Sequence, residues 1–199
     1  MVADPFARET VQVAHDSHGA VSYTAVAWAD AATVLAAGYD GKVTVLDKRA
    51  SRPASQFSSS VAGGSAGGPG LVRCLATDGP FCATGHAQGA VAVWDARAGG
   101  RPLAASSAAP GDEPWGDVWG LQFAADGALG AEPAACGTLL FGTQNGVIGA
   151  LEPSAAGAPE PRELFRDTAA VNSVSVFQGA AEAHLLASTD AESLVYIRL

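Results

Sequence analysis

The sequence predicts an all-β protein in which one structural unit recurs along 199 residues. Three observations carry this expectation. The apolar runs are short, β-branched or aromatic, and bounded by Gly, Asp and Asn, with almost no helical periodicity. A pair of such runs around a tight turn occurs four times, and each pair follows a further strand-like run. Near the end of each pair lies an acidic residue or its substitute, at Asp47, Asp95, Glu152 and Arg198.

In chain order, FARETVQVA (6–14) reads as a lone outer strand of a preceding unit, placed within 6–16. The first unit covers 20–57: TAVAW (24–28), a hairpin VLAAGYDGKVTVLDKR (34–49) turning at Tyr39-Asp40-Gly41, and a weaker strand at 54–57. SSSVAGGSAGGPG, within 58–70, has the composition of a flexible Gly/Ser linker. The second unit, 71–105, has VRCLA (72–76), then FCATGHAQGAVAVWDAR (81–97) and a weak strand near Leu103. Its turn at 86–89 gives Gly89 the freedom to take a positive φ and leaves His86 expected at the surface.

A second flexible insert follows at 98–114. The third unit, 117–166, holds VWGLQF (118–123), LLFGTQNGVIGALE (139–152) turning at Asn145-Gly146, an insert at 153–162, and a strand at 163–165. The fourth, 170–199, holds VNSVSVF (171–177) and LLASTDAESLVYIR (185–198) with Asp190 in its turn, and stops at its third strand.

Four strands per unit, with apolar residues on both faces of the inner ones, describe the blade of a β-propeller. The loops stretch the repeat beyond the ~40–45 residues usual for WD repeats. Trp28, Trp94, Trp119 and Phe123 read as core, since a buried aromatic removes ~150–250 Å² from water. Trp115 sits in a Pro/Gly/Asp loop and is a candidate exposed anchor for a partner or, equally, a cover for a blade end. Asp47 and Asp95 are expected to brace the turn after the third strand through backbone hydrogen bonds.

Function classes narrow by exclusion. A formal charge of −9, with 20 acidic against 11 basic residues, gives no field for a phosphate backbone, so nucleic acid is not an expected partner. No apolar run approaches the ~18 residues that span a bilayer and no signal peptide opens the sequence, so an intracellular protein without membrane insertion is expected. The three cysteines, Cys74, Cys82 and Cys136, fit no zinc spacing and read as small hydrophobes. His15-x-x-His18 lacks a nameable third ligand, AGGSAGGPG lacks the phosphate-loop pattern, and no G-x-S-x-G occurs. No catalytic set, metal site or cofactor is expected.

Trp94-Asp95 after alternating apolar residues is the WD dipeptide, and Leu46-Asp47 and Leu151-Glu152 are degraded copies, so the chain resembles a WD-repeat β-propeller. A narrower resemblance follows the order of motifs. GAVAVWDARAGGRPLA, then DVWGLQF, then GTLLFGTQNGVIGALE, then VNSVSV…LLASTDAESLVYI is similar to the C-terminal half of the small WD-repeat nucleoporin family of the nuclear pore's outer-ring Y complex. Thr189-Asp190-Ala191-Glu192 and Val195-Tyr196 occupy that family's closing turn and aromatic strand.

The resemblance implies a seven-bladed ring of which this chain supplies about four blades, an open arc lacking the N-terminal ones. A genuine four-bladed propeller is the alternative. It further implies a structural role at the nuclear envelope, supporting pore assembly and transport. The partners implied are an α-solenoid subunit and a neighbouring propeller of the Y complex. Trp94-Asp95-Ala96-Arg97 also resembles the docking motif of WD-repeat substrate receptors of cullin-type ubiquitin ligases. That alternative would make Arg97, and in part Arg49, adaptor contacts.

Overall fold

The computed structural model describes residues 22–50, 53–59, 70–98, 101–106, 115–124, 136–153, 160–179 and 182–199. They form four antiparallel sheets in sequence order. The first has β1 (Tyr23–Trp28), β2 (Thr33–Gly38), β3 (Lys42–Asp47) and β4 (Ser55–Ser58). The second has β5 (Val72–Asp78), β6 (Phe81–His86), β7 (Val91–Asp95) and β8 (Ala104–Ser106). β9 (Val118–Ala124), β10 (Thr138–Thr143), β11 (Val147–Leu151) and β12 (Arg162–Arg166) make the third. The fourth has three strands among the described residues, β13 (Val171–Gln178), β14 (Ala183–Thr189) and β15 (Leu194–Arg198). The reading of 6–16 as an outer strand lies outside the described residues, as does most of each proposed insert. Among the described residues, no helix is long and apolar enough to cross a membrane.

The hairpin turns follow from local chemistry. Gly41, Gly89 and Gly146 take φ of 74°, 79° and 79°, a region closed to most side chains. At Gly146 a Cβ would also lie 2.1 Å from the Asp167 carbonyl oxygen, so the Asn145-Gly146 turn admits nothing larger. The fourth unit has no glycine in its turn, and Glu192 carries the positive φ of 54° instead.

Strands β1, β5, β9 and β13 run side by side in a row, each the first strand of its sheet. Sheets therefore stack face to face around an arc, and three apolar layers fill the gaps. Leu35, Ala37, Val43 and Phe57 of the first sheet meet Val72, Cys82, Ala92 and Trp94 of the second. Ala83, Val91 and Val93 meet Leu139, Phe141, Leu151 and Trp115. Leu140, Ile148 and Ala150 meet Val171, Val174, Leu185 and Ala187. All six residues of β10 are buried because its two faces belong to different layers. Polar bridges pin neighbouring inner strands: Thr77 Oγ1 donates to the Trp28 carbonyl at 2.8 Å, and the Val176 amide donates to Gln122 Oε1 at 3.0 Å.

The end sheets differ. In β1 and β14 burial alternates along the strand, the sign of a sheet covered on one face. Among the described residues no contact like that between β9 and β13 brings β13 back to β1, so the arc is open. Its uncovered faces carry Val26 and Trp28 at one end, and Phe177, Leu186, Leu194 and Tyr196 at the other.

Candidate functional site

Asp47 and Asp95 end β3 and β7, and each accepts the backbone amide of the arginine two residues on, at 2.9 Å in both cases. The same arginine then folds back as a fork. Arg49 donates from Nε at 2.9 Å and from Nη2 at 2.6 Å, and Arg97 does so at 3.0 and 2.8 Å. The guanidinium bonds, helped by the amide, hold both carboxyl groups down at about 2. Arg97 also lies over the Phe81 ring, 5.9 Å from its centroid. Each Asp–Arg pair is thus a self-contained clasp on its own sheet, and the structure does not join the two pairs into one site. In the fourth unit Arg198 pairs instead with Glu182, from the start of its own hairpin.

Trp94 is buried against Phe57, ring centroids 5.3 Å apart, and its Nε1–H donates to Thr84 Oγ1 at 3.0 Å. Thr84 Oγ1 is also 2.9 Å from His86 Nε2, while His86 Nδ1 lies 3.0 Å from the Gly70 carbonyl. A carbonyl only accepts, so Nδ1 carries the proton, and the Thr84 hydroxyl donates to Nε2. The expectation of an exposed His86 is therefore wrong: it is 3% exposed, because Gly70 lies against its ring and Val72 pairs with its backbone.

Burial pulls the His86 pKa below its usual 6.5, so the ring is neutral in the fold. In the unfolded chain it takes up a proton as pH drops through about 6.5, and in the fold it does so only at lower pH. Stability should accordingly decline from pH 7 towards pH 5. The aspartates with lowered values (Asp30, Asp47, Asp95) exert the same sign of effect only below their ordinary 3.8. Urea midpoints at pH 7.5 and 5.5 for the wild type and His86→Gln measure this, and the variant should show the smaller drop.

Trp28 and Trp119 depart from expectation, and burial chooses between the two readings of Trp115. Trp115 is fully buried between the second and third sheets, 5.4 Å from the Phe141 ring and packed where a side chain on Gly89 would stand. It covers a blade end and is not an exposed anchor. Trp28 is 60% exposed because no described residue packs on its sheet face. Trp119 is 40% exposed for another reason: β9 bulges there, since Gly142 pairs with Gly120 but Thr143 pairs with Val118. Phe123 is part-buried against the layer between the second and third sheets.

The same bulge recurs at Thr24, Arg73 and Asn172, each the second residue of its sheet's first strand. Arg73 there reaches Asp117 at 2.5 Å, and Asn172 donates to Asp190 at 2.6 Å. Sequence reasoning did not find this rim. The only signal was that the position holds Thr, Arg and Asn amid otherwise apolar runs.

Cys74 and Cys82 are pushed up to about 12 by burial, and Cys74 Sγ donates to the Val118 carbonyl. Such thiols are packing groups rather than nucleophiles. Among the described residues no cluster of three or more His, Cys, Asp or Glu can hold a metal, and His15 and His18 lie outside them.

Among solved structures the chain is similar to the WD40 protein U3-55K, with TM-score 0.59 and 18% identity over 89% of this chain and 52% of that one. The fold is a WD40-type β-propeller arc. Two computationally designed proteins also superpose on the propeller. Ika4 gives TM-score 0.67 at 14% identity, covering 96% of this chain and 99% of its own. Ika8 gives 0.63 at 15%, covering 89% of this chain and 46% of its own. The arc thus spans about half the length of Ika8 and U3-55K. No family model and no curated protein matches the chain.

Proposed function

We propose that this propeller arc is a non-enzymatic scaffold for protein–protein contacts, and specifically a subunit of the nuclear pore's outer-ring Y complex. The observation that carries the reading is the closing unit. Its family-like residues are coupled in space: Asn172 bonds Asp190, and the Asp190 amide donates to the Ala170 carbonyl at 3.0 Å. The Val-Asn strand and the Thr-Asp-Ala-Glu turn therefore act as one structural piece.

Rigid sheets with rims and turns held in fixed order suit a scaffold, because partner-facing residues vary there without disturbing the layers between sheets. An α-solenoid subunit and a neighbouring propeller are the expected partners, at the nuclear envelope. Cross-linking mass spectrometry on nuclear envelopes should recover links from this chain to Y-complex subunits. A diffuse cytosolic protein without such links would overturn the reading.

The ubiquitin-ligase reading ranks second. Arg97 and Arg49 have side chains 69% and 73% exposed, as an adaptor contact requires. Against it, both guanidinium groups are already forked onto their own aspartates, so docking would have to break or share those bonds. Loss of adaptor co-precipitation in Arg97→Ala would favour it over the pore reading.

A further inference from the structure

The two uncovered faces are not equivalent to each other. Each layer between sheets joins the forward face of one sheet to the backward face of the next. Leu35 and Val43 point forward onto Cys82 and Trp94, which point back. Among the described residues, one face of each kind is left over at the ends of the arc. The first sheet leaves a backward face, where Val26 and Trp28 of β1 sit beside Val34 and Leu46. The fourth leaves a forward face, where Phe177, His184 and Tyr196 stack across three strands with centroids 6.2 and 5.8 Å apart. Ser175, Leu186 and these rings line a groove of roughly 380 Å³.

We propose that a second copy of this chain covers both faces, the forward face of each copy packing on the backward face of the other to close a two-fold ring. Three observations support a second copy as the occupant. A forward face and a backward face are the pair that already meets three times inside the chain. A single arc matches 46% of the length of Ika8, so two arcs have the length of one such propeller.

The third is area. Val26 (68% exposed), Trp28 (60%), Phe177 (68%), Leu194 (69%) and Tyr196 (62%), with Leu186, leave on the order of 700 Å² of side chain open per chain. Two copies closing both faces bury about twice that, which clears the ~1,200 Å² of a stable interface. The proposal puts a second copy where the pore resemblance implies further blades, and it leaves rims and turns free for other proteins.

The test is the mass in solution of this 199-residue chain, by sedimentation equilibrium across micromolar concentrations. The expected result is two chains, with no larger species, because a closed ring leaves no face unpaired. Trp28→Glu and Tyr196→Glu each place a charge on one face, at side chains already exposed in the single arc. Each variant alone should lose the dimer while keeping its far-UV circular dichroism. An equimolar mixture should recover it through the one contact in which both faces are native.

A wild-type chain that stays single, as it must if only preceding blades or a different protein covers the faces, overturns the proposal. So do open-ended oligomers, or a dimer that survives either substitution. A mixture that fails to recover the dimer overturns the head-to-tail arrangement.

Discussion

Trp94→Ala should lower the unfolding free energy by about 3–5 kcal/mol, and no single truncation in the arc is expected to cost more. Trp94 is 1% exposed at the centre of the layer between the first two sheets, against Phe57 and beside Cys82 and Ala92. Its space cannot collapse, because β7 is bonded on both sides, to β6 and to β8, and the ladders fix the strand positions. The indole N–H is also the first donor of the Trp94–Thr84–His86 chain, so its loss leaves the buried Thr84 oxygen short of one partner.

Trp94→Phe separates the two contributions. It keeps most of the ring and drops the donor, and about 1–2 kcal/mol is expected. Urea unfolding followed by far-UV circular dichroism reads both. An alanine variant within about 1 kcal/mol of wild type would show that the layer is not the cooperative core.

The second large effect is at Phe141, fully buried in the next layer with its ring tilted 39° to Trp115. Phe141→Ala should cost about 3–5 kcal/mol. The ring fits because residue 149 on the paired strand β11 is glycine: a Cβ there would come within 2.4 Å of Phe141 Cζ. Gly149→Ala alone should therefore cost about 1–3 kcal/mol by overpacking. In the Phe141→Ala background the same methyl enters vacated space and should cost nothing. The double-mutant cycle would then show a coupling of at least about 1 kcal/mol. Additive effects would mean that Phe141 moves aside freely and the layer is loosely packed.

The strands and turns were legible because their causes are local. β-branched runs extend, and Gly41, Gly89 and Gly146 permit the positive φ at which the first three hairpins reverse. The aspartate braces at 47 and 95 were legible for the same reason, since donor and acceptor are two residues apart.

What sequence reasoning missed depends on distant chain. His86 is buried by Gly70, sixteen positions upstream, and nothing in the turn itself announces that. Trp28 has the neighbours of a core residue in sequence, yet whether its face is covered depends on a further sheet, and none among the described residues stands there. Trp115 sits in a polar stretch that left two readings open, and only Phe141 of β10 and the turn at Gly89 decide that it is buried. Trp119 is apolar in an apolar run, and only the pairing register reveals that the strand expels it.

Those expelled side chains have a consequence for the surface. Thr24, Arg73, Trp119 and Asn172 stand at one repeated address that carries no packing duty, since a bulge removes its residue from both layers at once. The residue at that address can differ from sheet to sheet while the packed positions stay the same. The chain has filled the address with a hydroxyl, a cation, an indole and an amide. The repeat thereby carries an ordered row of dissimilar chemistries on an unchanging frame, where a change of residue alters the surface and leaves the layers between sheets in place.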